Sequence, residues 1–264
     1  MINKKLSTLR YRKNRAIIAG IDDATKCPCI GSIFVSGVVA DTKTIRYWKK
    51  IGVKDSKLIA PKKRFKLAEI IKESAAAFNI QEVTPAMIDD KRFNLNDWEM
   101  LIVCKIAQEL KKQSDIYTMH VDNWEVNTSL FAKRFNALSH QYENDIIRQH
   151  NLLLDTNVLS TLCFMPEHRA DENYVVVGAA SILSKTSSDL QYAKYKEIYG
   201  DFGSGSPADP KTRLFVWQHR KNPLPIIRTS WNTFKMLERL NSIEDDSIYA
   251  RILNKKMNGK LSEI

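Results

Sequence analysis

The chain has 264 residues, enough to bury a sizeable core as one domain or as one domain with an appendage. Its 44% hydrophobic and 27% charged composition suits a globular protein rather than a disordered one, and no run approaches the roughly 18 apolar residues needed to span a bilayer. The 41 Lys and Arg against 30 Asp and Glu give a net charge of +11, which favours a polyanionic partner, most often nucleic acid.

The first fifteen residues, "MINKKLSTLRYRKNR", form a basic arm with no apolar core or cleavage site, so no signal peptide and a cytoplasmic location are expected. "RAIIAGI" (15–21) reads as a buried strand and "IGSIFVSGVVA" (30–40) as a second, β-branched one. "TKTIRYW" (42–48) reads as a third, antiparallel to it through a turn at Asp41. From Pro61 to Phe78 the spacing of Phe65, Ala68, Ile71 and Ala75 predicts a helix, with proline in its first turn. "FNIQEV" (78–83) is a short strand, and "WEMLIVCKIAQELKK" (98–112) a long helix capped by Asn96 or Asp97. "IYTMHVD" (116–122) is again a strand ending in aspartate, and "SLFAKRFNAL" (129–138) a helix. Residues 139–162 carry no clear pattern, and "TLCFMPE" (161–167) reads as an edge strand. A helix over Asn173–Tyr199 opens with the small-residue run "VVVGAAS". The loop "YGDFGSGSPADPKT" (199–212) leads to a helix through His219, and the tail after Ser230 is helical and charged.

Strands in a hairpin-like run, then alternating with helices, predict an α/β fold: a mixed β-sheet flanked by helices, with a C-terminal helical extension. The expected division is an arm over 1–15, a catalytic domain over 16–222 and an extension over 223–264 packed on the same domain. Cys27, Cys29, Cys104 and Cys163 make no CxxC pair and no zinc-type spacing with histidine, so they read as reduced thiols.

Asp22 and Asp23 end the first strand, Asp122 ends a later one, and Asp171 sits just before a helix. Acids at strand ends can converge on the crevice at one edge of an α/β sheet, where hard divalent cations take oxygen ligands. Each aspartate is equally a turn former or helix cap when taken alone. Spacing alone does not decide between these.

The segments "GIDDATKCPCIGSIFVSGVV", "VKDSKLIAPKKRFKLAEII", "MHVDNW", "ADENYVVVGAASILSKTSSD", "GSGSPADPKT" and "IIRTSWNTF" resemble, in this order, the type 2 ribonucleases H (ribonuclease HII), the last two most closely the archaeal and eukaryotic branch. The resemblance runs from about residue 16 to 237 and is weak over 123–165. It implies a ribonuclease H-like fold and an enzyme that hydrolyses the RNA strand of RNA–DNA hybrids, or ribonucleotides embedded in DNA, to 5′-phosphate and 3′-hydroxyl ends. It further implies two Mg²⁺ or Mn²⁺ ions held by Asp22, Asp23, Asp122 and Asp171, with Ser56 and Lys57 of "DSK" and Lys185 of "ASILSK" near the substrate backbone. A monomer bound to nucleic acid is the expected working form, with no membrane partner.

Three departures stand out. The family's second acid is glutamate and here it is Asp23, about 1.5 Å shorter in reach. The family's Gly-Arg-Gly, which grips the nucleic acid at the ribonucleotide, is replaced by Thr25-Lys26-Cys27. Lysine cannot fork bidentately as arginine does, and without the glycines any positive φ becomes costly. Finally, Ser206 stands where the family has a tyrosine that packs on the sugar. These changes predict altered substrate preference, and they leave open a weakly active relative that binds hybrid or structured RNA. A DNA nuclease or integrase of related fold is the third reading, disfavoured by "DSK", "AASILSK" and "PADPKT".

Overall fold

A computed structural model describes residues 17–139, 148–150 and 152–239. The basic arm over 1–15, the end of the tail and part of the patternless stretch lie outside the described residues. Five strands, β1 (Ile17–Ala24), β2 (Ile33–Asp41), β3 (Ala77–Val83), β4 (Thr118–Asp122) and β5 (Cys163–Glu167), form one mixed sheet in the order β3-β2-β1-β4-β5. β1, β4 and β5 run parallel. Ile21 of β1 pairs with Val121 of β4, so Asp22 and Asp122 follow that pair on neighbouring strands, and Asp122 pairs in turn with Glu167 of β5.

The helices are α1 (Thr42–Ile51), α2 (Pro61–Ser74), α3 (Pro85–Asp89), α4 (Leu95–Gln113), α5 (Thr128–Ser139), α6 (Thr156–Leu159), α7 (Ala170–Asn173), α8 (Val175–Tyr199), α9 (Pro210–Gln218) and α10 (Asn232–Arg239). The chain therefore has the expected α/β class. One element is different: residues 42–48 are helical, not a third strand. Asp41 caps α1 by accepting from Thr44 N at 2.7 Å, and Ile45, Trp48 and Ile51 recur every three residues, which turns them toward one core. β-branched and aromatic residues alone suggested a strand there, but the cap and the apolar spacing prevail. Two boundaries also move. α2 stops at Ser74, where Ala75 turns extended. α4 begins at Leu95, before the expected caps, and is capped by Asn94, whose side chain accepts from Asp97 N while Asp97 accepts from Asn94 N.

The described residues divide into two compact units. The first lies within Met1–Asp23, Val35–Gln81 and Glu99–Thr186. Its core packs Val38, Trp48, Leu67 and Ile71 with Val176, Val177, Ala180 and Leu183 of α8. A Cβ at Gly20 would stand 2.6 Å from the Val176 and Val177 backbone, so glycine lets α8 lie directly on β1, one residue pair from the aspartates. The second unit lies within Ala24–Phe34, Glu82–Trp98 and Ser187–Ile264, and buries Cys29, Ile30, Phe202, Phe215, Val216, Ile227, Phe234 and Leu237 together. All four cysteines are unbonded thiols; burial pushes Cys29 up to about 11 and Cys104 higher still.

Candidate active site

The first unit holds all four predicted acids. Asp122 ends β4, Asp22 lies in the last three residues of the neighbouring parallel β1, and Asp23 follows it, donating its N–H to Asp22 Oδ1 at 2.7 Å. Asp122 Oδ1 accepts from Ala170 N at 2.9 Å, so the end of β4 fixes the turn that carries Asp171. That turn enters α7 through Arg169 in the left-handed region, φ 59°. Ser184 Oγ bridges the Asp22 carbonyl (2.9 Å) and Ser36 Oγ (2.8 Å), tying α8 to β1 and β2 beneath the acids.

The electrostatics show that the acids face one another. Burial pushes the Asp22 carboxyl well above the usual carboxylate range; Asp23, Asp122 and Asp171 add repulsion, and a Ser181 hydrogen bond opposes it. Asp122 is also raised, by burial first and then Asp23, against the Ala170 N–H, Lys57 and His168. Asp171 is pushed up to about 6 by burial, then by Asp122 and Asp55. Uncompensated negative charge in a partly dry site is what a divalent cation relieves. Among the described residues, no three His, Cys, Asp or Glu are already arranged as a cation cage. This still suits Mg²⁺ or Mn²⁺, because Mg²⁺ keeps several waters and takes one or two carboxylates plus substrate phosphate. The donor set, all carboxylate oxygen, fits those ions.

Lys57 and Ser56 lie in a single 3₁₀ turn, Ser56–Leu58, capped by the buried Asp55, which accepts from Lys57 N at 2.9 Å. Burial opposes the Lys57 charge, but Asp55, Asp171, Asp22 and Asp122 outweigh it and raise its pKa. Lys57 thus belongs to the acid cluster. Ser56 is buried and accepts from Ser181 Oγ at 2.9 Å, which anchors the turn to α8. Lys185 is half-buried on α8, one residue after the Ser184 bridge.

Thr25, Lys26, Cys27 and Ser206 belong to the second unit. Thr25 has φ 73°, a left-handed conformation in a β-branched residue, at the position where the sequence resemblance implies a glycine. Its hydroxyl bonds to Ser188 Oγ. Lys26 Nζ reaches Asn96 Oδ1 at 3.2 Å, and Cys27 is exposed. Ser206 is half-buried and serves its own turn, accepting from Ala208 N at 3.2 Å. The sequence did not single out Arg228. Its fully buried guanidinium donates to the carbonyls of Gly31 (2.7 Å), Lys26 (2.8 Å) and Thr25 (2.8 Å), clamping this loop. Asp55 and Ser181 were missed too. The acid that opens "DSK" and a hydroxyl one helical turn before Lys185 stand in the sequence, but the burial that gives them their roles does not.

A mixed sheet with carboxylates gathered near the ends of adjacent parallel strands, covered by a close-packed helix, is an architecture shared with solved structures of the ribonuclease H-like fold. The ribonuclease HII family model matches residues 19–234, and the chain belongs to that family, which makes it a type 2 ribonuclease H endonuclease. A ribonuclease HII from Thermococcus sibiricus is 33% identical over 240 residues, covering 90% of this chain and 97% of its own. The crystal structure of the ribonuclease H2 from Pyrococcus horikoshii OT3 superposes with a TM-score of 0.69 at 30% identity, covering 84% of this chain and 97% of that one. A Bst-RNase HIII in complex with Mn²⁺ shares the fold at 13% identity and a TM-score of 0.63, covering 89% of this chain and 71% of that one.

Proposed function

We propose that the chain hydrolyses the RNA strand of RNA–DNA hybrids, or ribonucleotides embedded in DNA, leaving 5′-phosphate and 3′-hydroxyl ends, with two Mg²⁺ or Mn²⁺ ions held by Asp22, Asp23, Asp122 and Asp171. The observation that carries this reading is the placement of Asp22 and Asp122 side by side on paired parallel strands, with Asp122 holding the turn that carries Asp171, in a member of the ribonuclease HII family. When bound, the ions supply charge neutralisation at the attacked phosphate and a more acidic water at neutral pH. The protein's own groups do the rest. Asp122 holds the Asp171 turn, Asp55 and Ser56 hold Lys57, and Lys57 presents a cation for the phosphate beside the acids. Lys185 takes the neighbouring backbone position. Thr25, Lys26, Cys27 and Ser206 read the substrate, with a shorter reach and fewer donors than the family pattern supplies. Cytoplasmic action as a monomer on nucleic acid completes the proposal; no helix among the described residues is long and apolar enough to cross a membrane.

A cleavage panel tests this in Mg²⁺ and in Mn²⁺, over a uniform hybrid, DNA with one ribonucleotide, double- and single-stranded RNA, and DNA. Cutting of the uniform hybrid is expected. Exclusive cutting at a single embedded ribonucleotide would contradict the altered reading of the junction. A second reading is favoured by the substitutions at 23, 25–27 and 206: a feeble nuclease that chiefly binds hybrid or structured RNA. Binding without cutting in either metal decides for it.

A further inference from the structure

Residues 42–66 carry ten of the chain's 41 cations and one of its 30 acids, and that acid, Asp55, is buried. Nine of the ten cations are exposed: Lys43, Arg46, Lys49, Lys50, Lys54, Lys57, Lys62, Lys63 and Lys66. None of the nine forms an ion pair among the described residues, whereas Lys72, just beyond, pairs with Glu69. Part of this tract has an ordinary explanation. Lys49 and Lys50 lie in the last turn of α1, where cations complement the helix dipole. Lys63 Nζ lies 3.1 Å from where a Cβ on Gly52 would stand, at the same helix end.

The remainder does not help the fold. Lys43 sits in the first turn of α1 and Lys62 in the first turn of α2, where cations oppose the dipole, and neither helix has an acid in its first turn. Arg46 and Lys66 add like charge on the same exposed segment. The inner face of α1 is already satisfied by Trp48, buried with its Nε1 donating to Ser74 Oγ at 2.8 Å. A run of exposed single-sign charge, unpaired and placed against the helix dipoles, is what a surface for a polyanion requires. Its position also matters. Lys57 joins the tract to the acid cluster, and the ten residues of α1 span about 15 Å, or about four base-pair rises of a duplex.

We propose that the α1–α2 face is a second nucleic-acid contact surface, which holds the phosphates of the duplex flanking the scissile position. The surface rests on the hybrid-cleaving reading for its substrate. Its contacts are to the phosphate backbone, so they anchor the duplex without reading its sequence or distinguishing hybrid from DNA.

The test is the full-length variant Lys43→Gln/Arg46→Gln/Lys62→Gln/Lys66→Gln, which leaves Lys57 and the helix-end lysines in place and keeps good helix formers. Binding is measured without divalent metal against a hybrid and a DNA duplex of about 30 base pairs, across salt concentrations. Each lost phosphate contact removes about 0.9 from the slope of log affinity against log salt. The expected result is a slope shallower by about 2 to 4 and affinity about 10- to 100-fold weaker at 0.1 M salt on both duplexes. Thermal unfolding should be unchanged or later than wild type, which separates lost contact from lost fold. An unchanged slope, or a loss on only one of the two duplexes, overturns the surface. Separately, a wild-type protein that binds with this dependence yet cuts no hybrid sinks the cleavage reading and leaves the surface standing.

Discussion

The strongest physical consequence of the acid cluster is that, without metal, it destabilises the fold at neutral pH, and Asp171→Asn should reveal this. The Asp171 carboxyl stands at about 6 against an ordinary 3.8. Its folded pKa is therefore above its unfolded one, so its contribution to stability is fully present below about pH 4 and is lost as pH rises through 6. At about 1.4 kcal/mol per pH unit, the ceiling on that loss is about 3 kcal/mol. Solvent screening and the Lys57 cation reduce it to about 1–2 kcal/mol. Asparagine keeps the shape and cannot ionise. In EDTA, the variant should match wild type near pH 4 and melt later at pH 8 by about 2–8 °C, at about 2–4 °C per kcal/mol for a chain of this size. Adding Mg²⁺ or Mn²⁺ at pH 8 should reverse the order, since ions at 100 times their dissociation constant stabilise wild type by about 2.7 kcal/mol. The assay is thermal unfolding across pH with and without metal. A difference between the proteins that does not grow from pH 4 to pH 8 refutes the reasoning.

Thr25 and Arg228 give two stability tests. Thr25→Gly and Thr25→Ala both lose the Ser188 hydrogen bond, but only glycine removes the Cβ from a left-handed position, so the glycine variant should be the more stable of the two by about 1 kcal/mol in urea unfolding. Arg228→Ala strands three carbonyls in a buried place and should cost about 3–5 kcal/mol, of which Arg228→Lys recovers less than half because an ammonium cannot span all three. Parallel urea curves for the pair check this. Asp23→Glu restores the longer reach and should raise the ratio of Mg²⁺- to Mn²⁺-supported hybrid cleavage by about tenfold; an unchanged ratio rejects the geometric account of that substitution.

The sequence was most legible where one physical signal dominated. Asp22 and Asp122 close apolar strands, and parallel register then places them side by side. The helical spacing of α2, α4 and α8 was likewise readable. Residues 42–48 misled because Thr, Ile, Tyr and Trp favour strands locally, while the decisive facts, the Asp41 cap and the inward Ile45, Trp48 and Ile51, depend on the core they meet. Thr25 was legible as a conformational cost, and the chain accepts that cost by keeping a positive φ without glycine. Arg228 was illegible for a different reason. It acts on backbone carbonyls about two hundred positions away, and carbonyls leave no mark in a sequence. The same holds for Asp55, whose role comes from its burial beside Lys57 and Asp171.

If the four aspartates run metal-dependent cleavage of a hybrid, Asp122→Asn should separate binding from cleavage. Hybrid binding in the absence of metal and cleavage in Mn²⁺ should be measured on the same preparations. The account predicts binding within about threefold of wild type, since the removed charge is not a phosphate contact, and cleavage lower by about three orders of magnitude, equivalent to about 4 kcal/mol of barrier. Cleavage retained at the wild-type rate would contradict it.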